Sequence, residues 1–313
     1  PRSTPIKSSQ RQMCIRDSYI APGDISSMYI TSDMSEKERE AVLEKLGANQ
    51  SLPEQYAGWM GNALHGDLGV SLSNKSSVAP QLARRLPTTI LLMGCSLILS
   101  LLIAIPLGLW AGYKKNGIVD NLISFLSYIG MSIPSFWLGM LLIILFTAEL
   151  GILPSGGIHT VGNESVTDTI KHLIMPSITL SLGSVATFIR YIRANTISQL
   201  AEEYVLTAEA KGTSAFNILR KHVLKNTLLP IITLMGMNLA SLVCGSFIIE
   251  SVFGWPGIGM FAMSAIGQRD YSVIMAYIML SGFILVSGNL LADILYAFAD
   301  PRIKRGIDKA NGK

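Results

Sequence analysis

Charged residues are scarce in this chain. Asp, Glu, Lys and Arg make up 15% of its 313 residues and the mean hydropathy is +0.43, whereas a soluble domain carries roughly a quarter charged residues. Five stretches lack Asp, Glu, Lys, Arg and His altogether: 88–112, 121–148, 173–189, 226–249 and 271–292. Because about 20 apolar residues suffice to cross a bilayer core, these stretches predict an all-α integral membrane protein with five spans.

Several chemical motifs are also missing. The four histidines lie outside the predicted spans and no HExxH occurs, which argues against an intramembrane metalloprotease. No GxxxxGK[ST] occurs, so the chain is not expected to bind ATP through a P-loop. The three cysteines are far apart and predict neither a disulfide framework nor a zinc site. No charge lies within a span, where proton-coupled transporters need one. We therefore expect no catalytic, metal or cofactor site.

The basic residues predict the orientation of the chain. Lys114, Lys115, the basic residues of 190–225 and those of the C-terminal tail share one side, whereas the short loops of the other side carry only Lys171 and Arg269. Short cytoplasmic loops are enriched in Lys and Arg. We therefore predict a multi-pass protein embedded in lipid, with a cytoplasmic loop at 190–225 and a cytoplasmic C-terminus.

The sequence suggests a simple division of the chain. Residues 1–18 are polar and contain neither a signal-peptide core nor a span, so we expect them to be foreign to the fold and a first span to be missing. Residues 19–87 are predicted to form an external helical cap, with helices from Ser35 to Gly47 and in LPEQYAGWMGNAL. The transmembrane domain would cover 88–304 and the tail 305–313.

Three residues of the predicted spans are structural or gating candidates. Pro134 lies inside the second span, where a proline bends a helix. The bend could serve packing or a rearrangement around a pathway, and the sequence does not separate the two. Asn289 and Asp293 lie four residues apart and so share one face of the last span. They could pair with a neighbouring helix or line a transport path.

The predicted cytoplasmic loop contains a patterned insert, EYVLTAEAKGTSAFNILRKHVLKNTLLP at 203–230. Good helix formers run up to Gly212, which ends the helix because glycine adopts the left-handed conformation readily. Thr213 or Ser214 would cap the next helix. An apolar face with a 3.6-residue period follows, formed by Ala215, Ile218, Leu219, His222 and Val223. The two short helices joined at Gly212 form an elbow. An ordinary loop between spans would explain the basic residues of this segment but not the elbow, so we predict that the elbow docks a cytoplasmic partner.

The same insert carries a family resemblance. TAEAKGTS and HVLKNTLLP resemble the cytoplasmic coupling motif of permeases from binding-protein-dependent ABC importers, in particular the dipeptide/oligopeptide/nickel importer family. LPEQYAGWMGNALHGDLGVSLS, ESVFGWPGIGMFAMSAIGQRDYSV and NLLADILYAFADPRIK resemble other segments of that family, over roughly 19–304. Leu206 begins Leu-Thr-Ala where other importers have Glu-Ala-Ala, and Glu209 stands where this family often has Arg.

The resemblance implies a type I ABC importer permease bundle, with six spans in the family, in a bacterial inner membrane. The permease itself would not be an enzyme. Its implied partners are a homologous second permease, two cytoplasmic P-loop ATPase subunits that bind ATP and Mg, and an external solute-binding protein, with no nucleic acid. The implied substrates are dipeptides, oligopeptides, nickel chelates or glutathione.

The resemblance also implies which residues dock the ATPase. They belong to the coupling motif and are Thr207, Ala208, Ala210, Lys211, Gly212, Ser214 and Phe216. From the residues alone, an ion-coupled secondary transporter or a channel without an ATPase partner remains the alternative. The lack of charges within the spans weighs against the first, and the elbow weighs against the second.

Overall fold

The structure, a computed structural model, describes Ser35, Lys37 and residues 51–299. The segment 1–18, nearly all of the helix predicted from Ser35 to Gly47, and the tail 305–313 lie outside the described residues. The chain divides into two compact units. Within the described residues, the first unit comprises 51–84 with 264–279, and the second comprises 85–263 with 280–299.

Helices account for most of the described residues. In chain order they are α1 (Leu52–Leu64), α2 (Val78–Tyr113), α3 (Ile118–Ser132), α4 (Ser135–Leu142), the π-helix π1 (Ile143–Glu149), α5 (Val166–Leu200), α6 (Glu203–Ala210), α7 (Ala215–Asn217), the π-helix π2 (Ile218–Val223), α8 (Leu224–Val252), α9 (Ile258–Gly267) and α10 (Tyr271–Ala299).

The number of spans can be counted by length and composition in the part of the chain that the structure describes. α2, α5 and the Tyr271–Ile294 part of α10 are each long and apolar enough to cross a membrane. The bent pair formed by Ile118–Ser132 and Ser135–Glu149 makes a fourth if it is one span. The remaining predicted span, 226–249, lies within α8.

The span predicted at 121–148 is broken at Pro134, where the sequence predicts a bend. The chain bends there by 97° between Ile118–Ser132 and Ser135–Glu149. Ile133, at φ −77° and ψ 122°, is extended because the ring of the following proline disfavours the helical conformation. Pro134 is the N-cap of α4, and its carbonyl accepts the N–H of Leu138 at 3.1 Å. The proline therefore separates two helices.

Other helices extend beyond the predicted apolar stretches. α2 begins at Val78 instead of 88, and α5 covers Val166–Leu200 instead of 173–189. Residues 190–200, predicted as part of the cytoplasmic loop, therefore continue the helix of the preceding predicted span. QLARRL consists of good helix formers and RANTISQL contains neither Gly nor Pro, so these helices need not end where their apolar stretches end.

The first unit contains α1 and a loop that hydrogen bonds hold in place. α1 coincides with the predicted LPEQYAGWMGNAL helix, and the rings of Tyr56 and Trp59 lie 6.2 Å apart on one face. The buried carboxylate of Asp270 accepts hydrogen bonds from the hydroxyl of Ser71 at 2.5 Å and from the backbone N–H of Ser73 at 3.3 Å. The DLGVSLS stretch is thereby held against the start of α10.

The second unit is packed around two apolar clusters. One joins side chains of α2, α5 and the end of α8, with Trp255 fully buried. The other joins α2, α3, α5 and α8, with Phe188 and Ile192 fully buried. A Cβ added to Gly108 would lie 2.7 Å from the Cβ of Ile192, and one added to Gly236 would lie 2.4 Å from that of Ala292. Small residues thus allow close helix packing.

Candidate functional site

The predicted elbow at Gly212 is present. α6 ends at Ala210, and Gly212 follows with φ +77°. The N–H of Gly212 donates to the carbonyl of Glu209 at 2.8 Å, and the N–H of Thr213 donates to the carbonyl of Ala208 at 3.1 Å. This pair of bonds is the Schellman motif, which ends a helix with a left-handed residue. Glycine is therefore favoured at 212 for its backbone conformation.

Steric crowding is not the reason for a glycine at position 212. Among the described residues, nothing lies within 4 Å of a Cβ built on Gly212. A larger side chain would fit sterically but would have to adopt the left-handed conformation, which disfavours residues with a Cβ. Substitutions at 212 therefore change the backbone of the elbow without creating a clash.

The second arm of the elbow starts where the sequence predicts. Ser214 is the N-cap of α7, with φ −63° and ψ 148°, and its carbonyl accepts the N–H of Ile218 at 3.0 Å. Its hydroxyl makes no capping hydrogen bond within the described part of the chain. The predicted position of the cap is confirmed, but the predicted side-chain cap is not.

The prediction of a regular 3.6-residue helix after Ser214 is wrong. Only Ala215–Asn217 are α-helical, and Ile218–Val223 form a π-helix that continues directly into α8. A π-helix repeats with i→i+5 hydrogen bonds, so Ile218 and Val223 share one face. Both are buried, whereas Ala215 is exposed. The predicted apolar face is thus kept in part: Leu219 and His222 are half-buried beside Ile218 and Val223, and only Ala215 is exposed.

The two arms enclose a small apolar core. Val205 and Ala208 of α6 pack against Ile218 and Val223 of π2. Partly buried side chains around them come from the arms and from two longer helices; they are Leu109, Leu200, Tyr204 and Leu219. The elbow is therefore a packed element that rests on α2 and α5.

Polar contacts of Tyr204 add to this packing. Its hydroxyl donates to Oε1 of Gln199 at 2.7 Å and accepts from Nδ2 of Asn226 at 3.2 Å. Gln199 lies near the end of α5 and Asn226 near the start of α8. One hydroxyl thus joins the helix that enters the elbow to the helix that leaves it.

The predicted docking residues do not all share one environment. Thr207, Ala210, Lys211, Gly212, Ser214 and Phe216 are exposed. Ala208 is buried in the core of the elbow. Its small side chain is therefore used inside the elbow, because a larger one would separate α6 from π2.

Two large apolar side chains are exposed on the elbow. Leu206 is 57% exposed and Phe216 is 70% exposed, one on each side of Gly212. Leu206 was absent from the predicted docking set, although its place in the coupling motif was a signal for including it. The same segment carries exposed charges of both signs: Glu202, Glu203, Glu209, Lys211, Arg220, Lys221 and Lys225.

The other candidates, Pro134, Asn289 and Asp293, lie in the second unit. Pro134 is exposed at the break between α3 and α4. Asn289 is half-buried on α10, with its Cα 3.5 Å from a Cβ built on Gly236 of α8. Asp293 is exposed. Asn289 therefore lies in a close contact between α8 and α10. Asp293 is more exposed than Asn289.

A cavity of about 320 Å³ lies beside the broken span. Met131, Ile133 and Ser135 line it at the break, and uncharged polar side chains line it from other helices, namely Thr179, Ser184, Thr187 and Asn238. The hydroxyl of Ser184 donates to Oδ1 of Asn238 at 3.2 Å. Hydrogen-bonding groups and apolar groups thus meet within predicted spans, and sequence reasoning did not single out this group.

Comparisons with known proteins agree with the resemblance. The family described as binding-protein-dependent transport system inner membrane component matches residues 104–305, which include the elbow. The oligopeptide transport system permease protein AppB of Bacillus subtilis (strain 168) is 42% identical over 286 residues, 91% of this chain and 90% of that protein.

Two further relatives carry other transport names. The glutathione transport system permease protein GsiC of Pectobacterium atrosepticum is 36% identical over 286 residues, 91% of this chain and 90% of that protein. The probable D,D-dipeptide transport system permease protein DdpB of Escherichia coli (strain K12) is 34% identical over 309 residues, 92% of this chain and 91% of that protein.

A solved structure has the same fold. The MetNI methionine ABC transporter, in inward-facing conformations, aligns with a TM-score of 0.52 and 19% identity, over 68% of this chain and 95% of that chain. This likeness supports the predicted type I importer fold. Together with the family match and the sequence relatives, it shows that the chain belongs to the binding-protein-dependent transport system inner membrane components, the permease subunits of ABC importers.

Proposed function

We propose that this permease imports peptides, or small solutes related to peptides, across a bacterial inner membrane. The relatives with peptide, dipeptide and glutathione transport in their names support this substrate class. The permease carries no P-loop. ATP and Mg would be bound by separate ATPase subunits, and the chain itself would not be an enzyme.

The observation that carries this proposal is the packed elbow at Gly212. It presents the exposed side chains of Leu206 and Phe216 on either side of a left-handed turn, with a core of its own beneath them. Both side chains lie outside the predicted spans, so lipid would not cover them, and we propose that a protein partner does. The partner we propose for the elbow is one ATPase subunit. The elbow and the C-terminus of the permease would both lie at the cytoplasmic face of the membrane.

The exposed charges of the same segment fit such a contact. Charged residues of an interface give register and orientation more than affinity. A homologous second permease would present an equivalent elbow to a second ATPase subunit. An external solute-binding protein would deliver the solute to the opposite face.

The solute path we propose passes the cavity beside Pro134. Its polar lining of Ser184 and Asn238 carries no charge, which suits the amide groups of a peptide and does not select one side-chain charge. The broken span forms one wall, so a change in the bend would change the width of the cavity.

ATP-dependent uptake tests the proposal. Proteoliposomes would hold the permease with its second permease and ATPase subunits, with ATP inside and the binding protein and a labelled tripeptide outside. We expect accumulation that needs ATP and the binding protein. Uptake without ATP, or uptake driven by an ion gradient alone, would support a channel or a secondary transporter and contradict the proposal.

A further inference from the structure

An ion pair joins α3 to α5 at the end of the bundle nearest the elbow. Nε and Nη2 of Arg193 donate to the two carboxylate oxygens of Asp120, the second at 2.7 Å. The Asp120 side chain is 1% exposed. We propose that Asp120 and Arg193 are positioning residues that carry a displacement of the elbow to the turn between α2 and α3. This inference rests on the proposed docking of an ATPase at the elbow.

The bidentate ion pair of Asp120 and Arg193 fixes the relative orientation of the two side chains. Two parallel N–H···O bonds fix the planes of the guanidinium and the carboxylate relative to each other, which a single contact does not. Asp120 lies in the first turn of α3, and Arg193 lies two turns before the end of α5. A movement of this part of α5 therefore changes the position of the start of α3.

Asp120 also holds the preceding turn. The backbone N–H of Asn116 donates to Oδ2 of Asp120 at 2.8 Å, and the hydroxyl of Ser124 lies 3.4 Å from Oδ1. Asn116 has φ +61°, a left-handed conformation that asparagine tolerates better than most residues. The turn at 114–117 is thus held to α5 through one carboxylate.

The other end of the link reaches the elbow directly. Leu200, the last residue of α5, packs against the core of Val205, Ala208, Ile218 and Val223. Gln199 is bonded to Tyr204 of α6 at 2.7 Å. Since α5 is one continuous helix from Val166 to Leu200, a force on the elbow acts on Arg193 through about two turns of helix.

α2 lies in contact with the same part of α5. Cβ atoms on Gly108 and Gly112 would lie 2.7 Å and 2.6 Å from the Cβ atoms of Ile192 and Thr196. These residues flank Arg193 along α5. The backbone of α2 therefore lies directly against α5 there, so that α2, α3 and α5 are tied together at one level of the bundle.

Stability alone does not require an ion pair here. Replacing a buried ion pair by packed apolar side chains is often neutral or stabilising, whereas removing one partner leaves an unpaired buried charge. An Asp120→Leu/Arg193→Met double variant therefore separates stability from positioning. It removes both charges but also the bidentate orientation.

Hydrogen–deuterium exchange on the assembled transporter tests the link. The complex of this permease with its second permease and ATPase subunits is compared with and without a non-hydrolysable ATP analogue, at the elbow (203–214) and at the turn (114–117). In the wild type, we expect nucleotide to change exchange in both segments. In Asp120→Asn and in the apolar double variant, we expect the change at the elbow to remain and the change at the turn to be lost.

Reversal of the pair is the rescue variant. Asp120→Arg/Arg193→Asp restores an ion pair in the opposite sense and is expected to recover part of the response at the turn. Asp168→Asn is the matched control, because Asp168 is a buried carboxylate near the start of the same helix α5. This control should keep both responses.

The outcomes separate the two proposals. A response at the turn that persists in Asp120→Asn and in the apolar double variant would overturn the link and leave ATPase docking intact. A response at the elbow but none at the turn in the wild type would do the same. No nucleotide response at either segment would overturn the link, and copurification of the ATPase with Gly212→Val and wild type then decides docking separately.

Discussion

The hydroxyl of Thr89 donates to the carboxylate of Glu250 at 2.7 Å, and Glu250 is fully buried. The other carboxylate oxygen accepts the N–H of Met260 at 2.9 Å, and Thr89 accepts the N–H of Ile258 at 2.9 Å. A side chain from α2 and one from the end of α8 thus satisfy the backbone at the start of α9. These hydrogen bonds therefore join the end of α8 to the start of α9 across the loop between them.

Glu250→Ala is expected to destabilise the protein. The N–H of Met260 and the hydroxyl of Thr89 would lose their acceptor, and each buried group left unpaired costs about 1–3 kcal/mol. Thermal unfolding in detergent measures the loss. Glu164→Ala, which removes an exposed carboxylate, should leave the unfolding temperature unchanged, and equal effects of the two variants would contradict this account of Glu250.

Close packing of α2 against α5 predicts a contrast between two glycines of one helix. Gly108→Ala places a Cβ against Ile192 and is expected to cost ~1–3 kcal/mol by overpacking. Among the described residues nothing lies within 4 Å of a Cβ on Gly94, so Gly94→Ala should be neutral or stabilising by up to about 1 kcal/mol. Chemical unfolding in detergent compares them, and an equal loss in both would refute the close contact.

The bend of the broken span predicts a role for Pro134. Pro134→Ala removes the steric restriction on Ile133, so the two helices should populate a straighter arrangement. Spin labels at positions 121 and 144, in a variant whose cysteines are replaced by serine, would report longer distances.

The control for the bend uses another proline. Pro176 lies inside the continuous helix α5, so Pro176→Ala should leave the distance between the labels unchanged. If Pro134→Ala also leaves it unchanged, packing of the neighbouring helices sets the bend, and Pro134 is no gating candidate.

Local features of the elbow were predictable from the sequence. Gly212 follows a run of helix formers, and helices commonly end at a glycine in the left-handed conformation. The amphipathic helix α1 was predictable for a similar reason, because its apolar residues recur with the helical period. Such predictions succeed where the responsible residues are neighbours in the chain.

The π-helix after Ser214 was not predictable in this way. The spacing of Ala215, Ile218 and Leu219 fits a regular helix. Packing against α6 keeps Ile218, Leu219 and Val223 in contact with the core but in a π-helix, and it leaves Ala215 exposed. The same holds for Ala208, which the motif places among docking residues and the fold buries. In both places tertiary contacts override the local pattern.

The ion pair of Asp120 and Arg193 shows the limit most clearly. The two residues are 73 positions apart, and each lies just beyond the charge-free stretches used to predict spans. Composition treats both as loop charges, and Arg193 as one that follows the positive-inside rule. Only the packing of α3 against α5 shows that they meet.

The most direct test of ATPase docking at the elbow is copurification with Gly212→Val. Valine fits the space at 212 but opposes the left-handed backbone, at a cost of about 1–2 kcal/mol. Gly162→Val is the matched control, because Gly162 has φ +82°, is exposed, and within the described residues also has nothing within 4 Å of a built Cβ.

The permease would be purified from membranes of cells that express the whole transporter, and the amount of bound P-loop ATPase would be measured. We predict that ATPase copurifies with the wild type and with Gly162→Val, and that Gly212→Val loses most of it while keeping its own yield. Equal ATPase binding by all three proteins would contradict docking at the elbow.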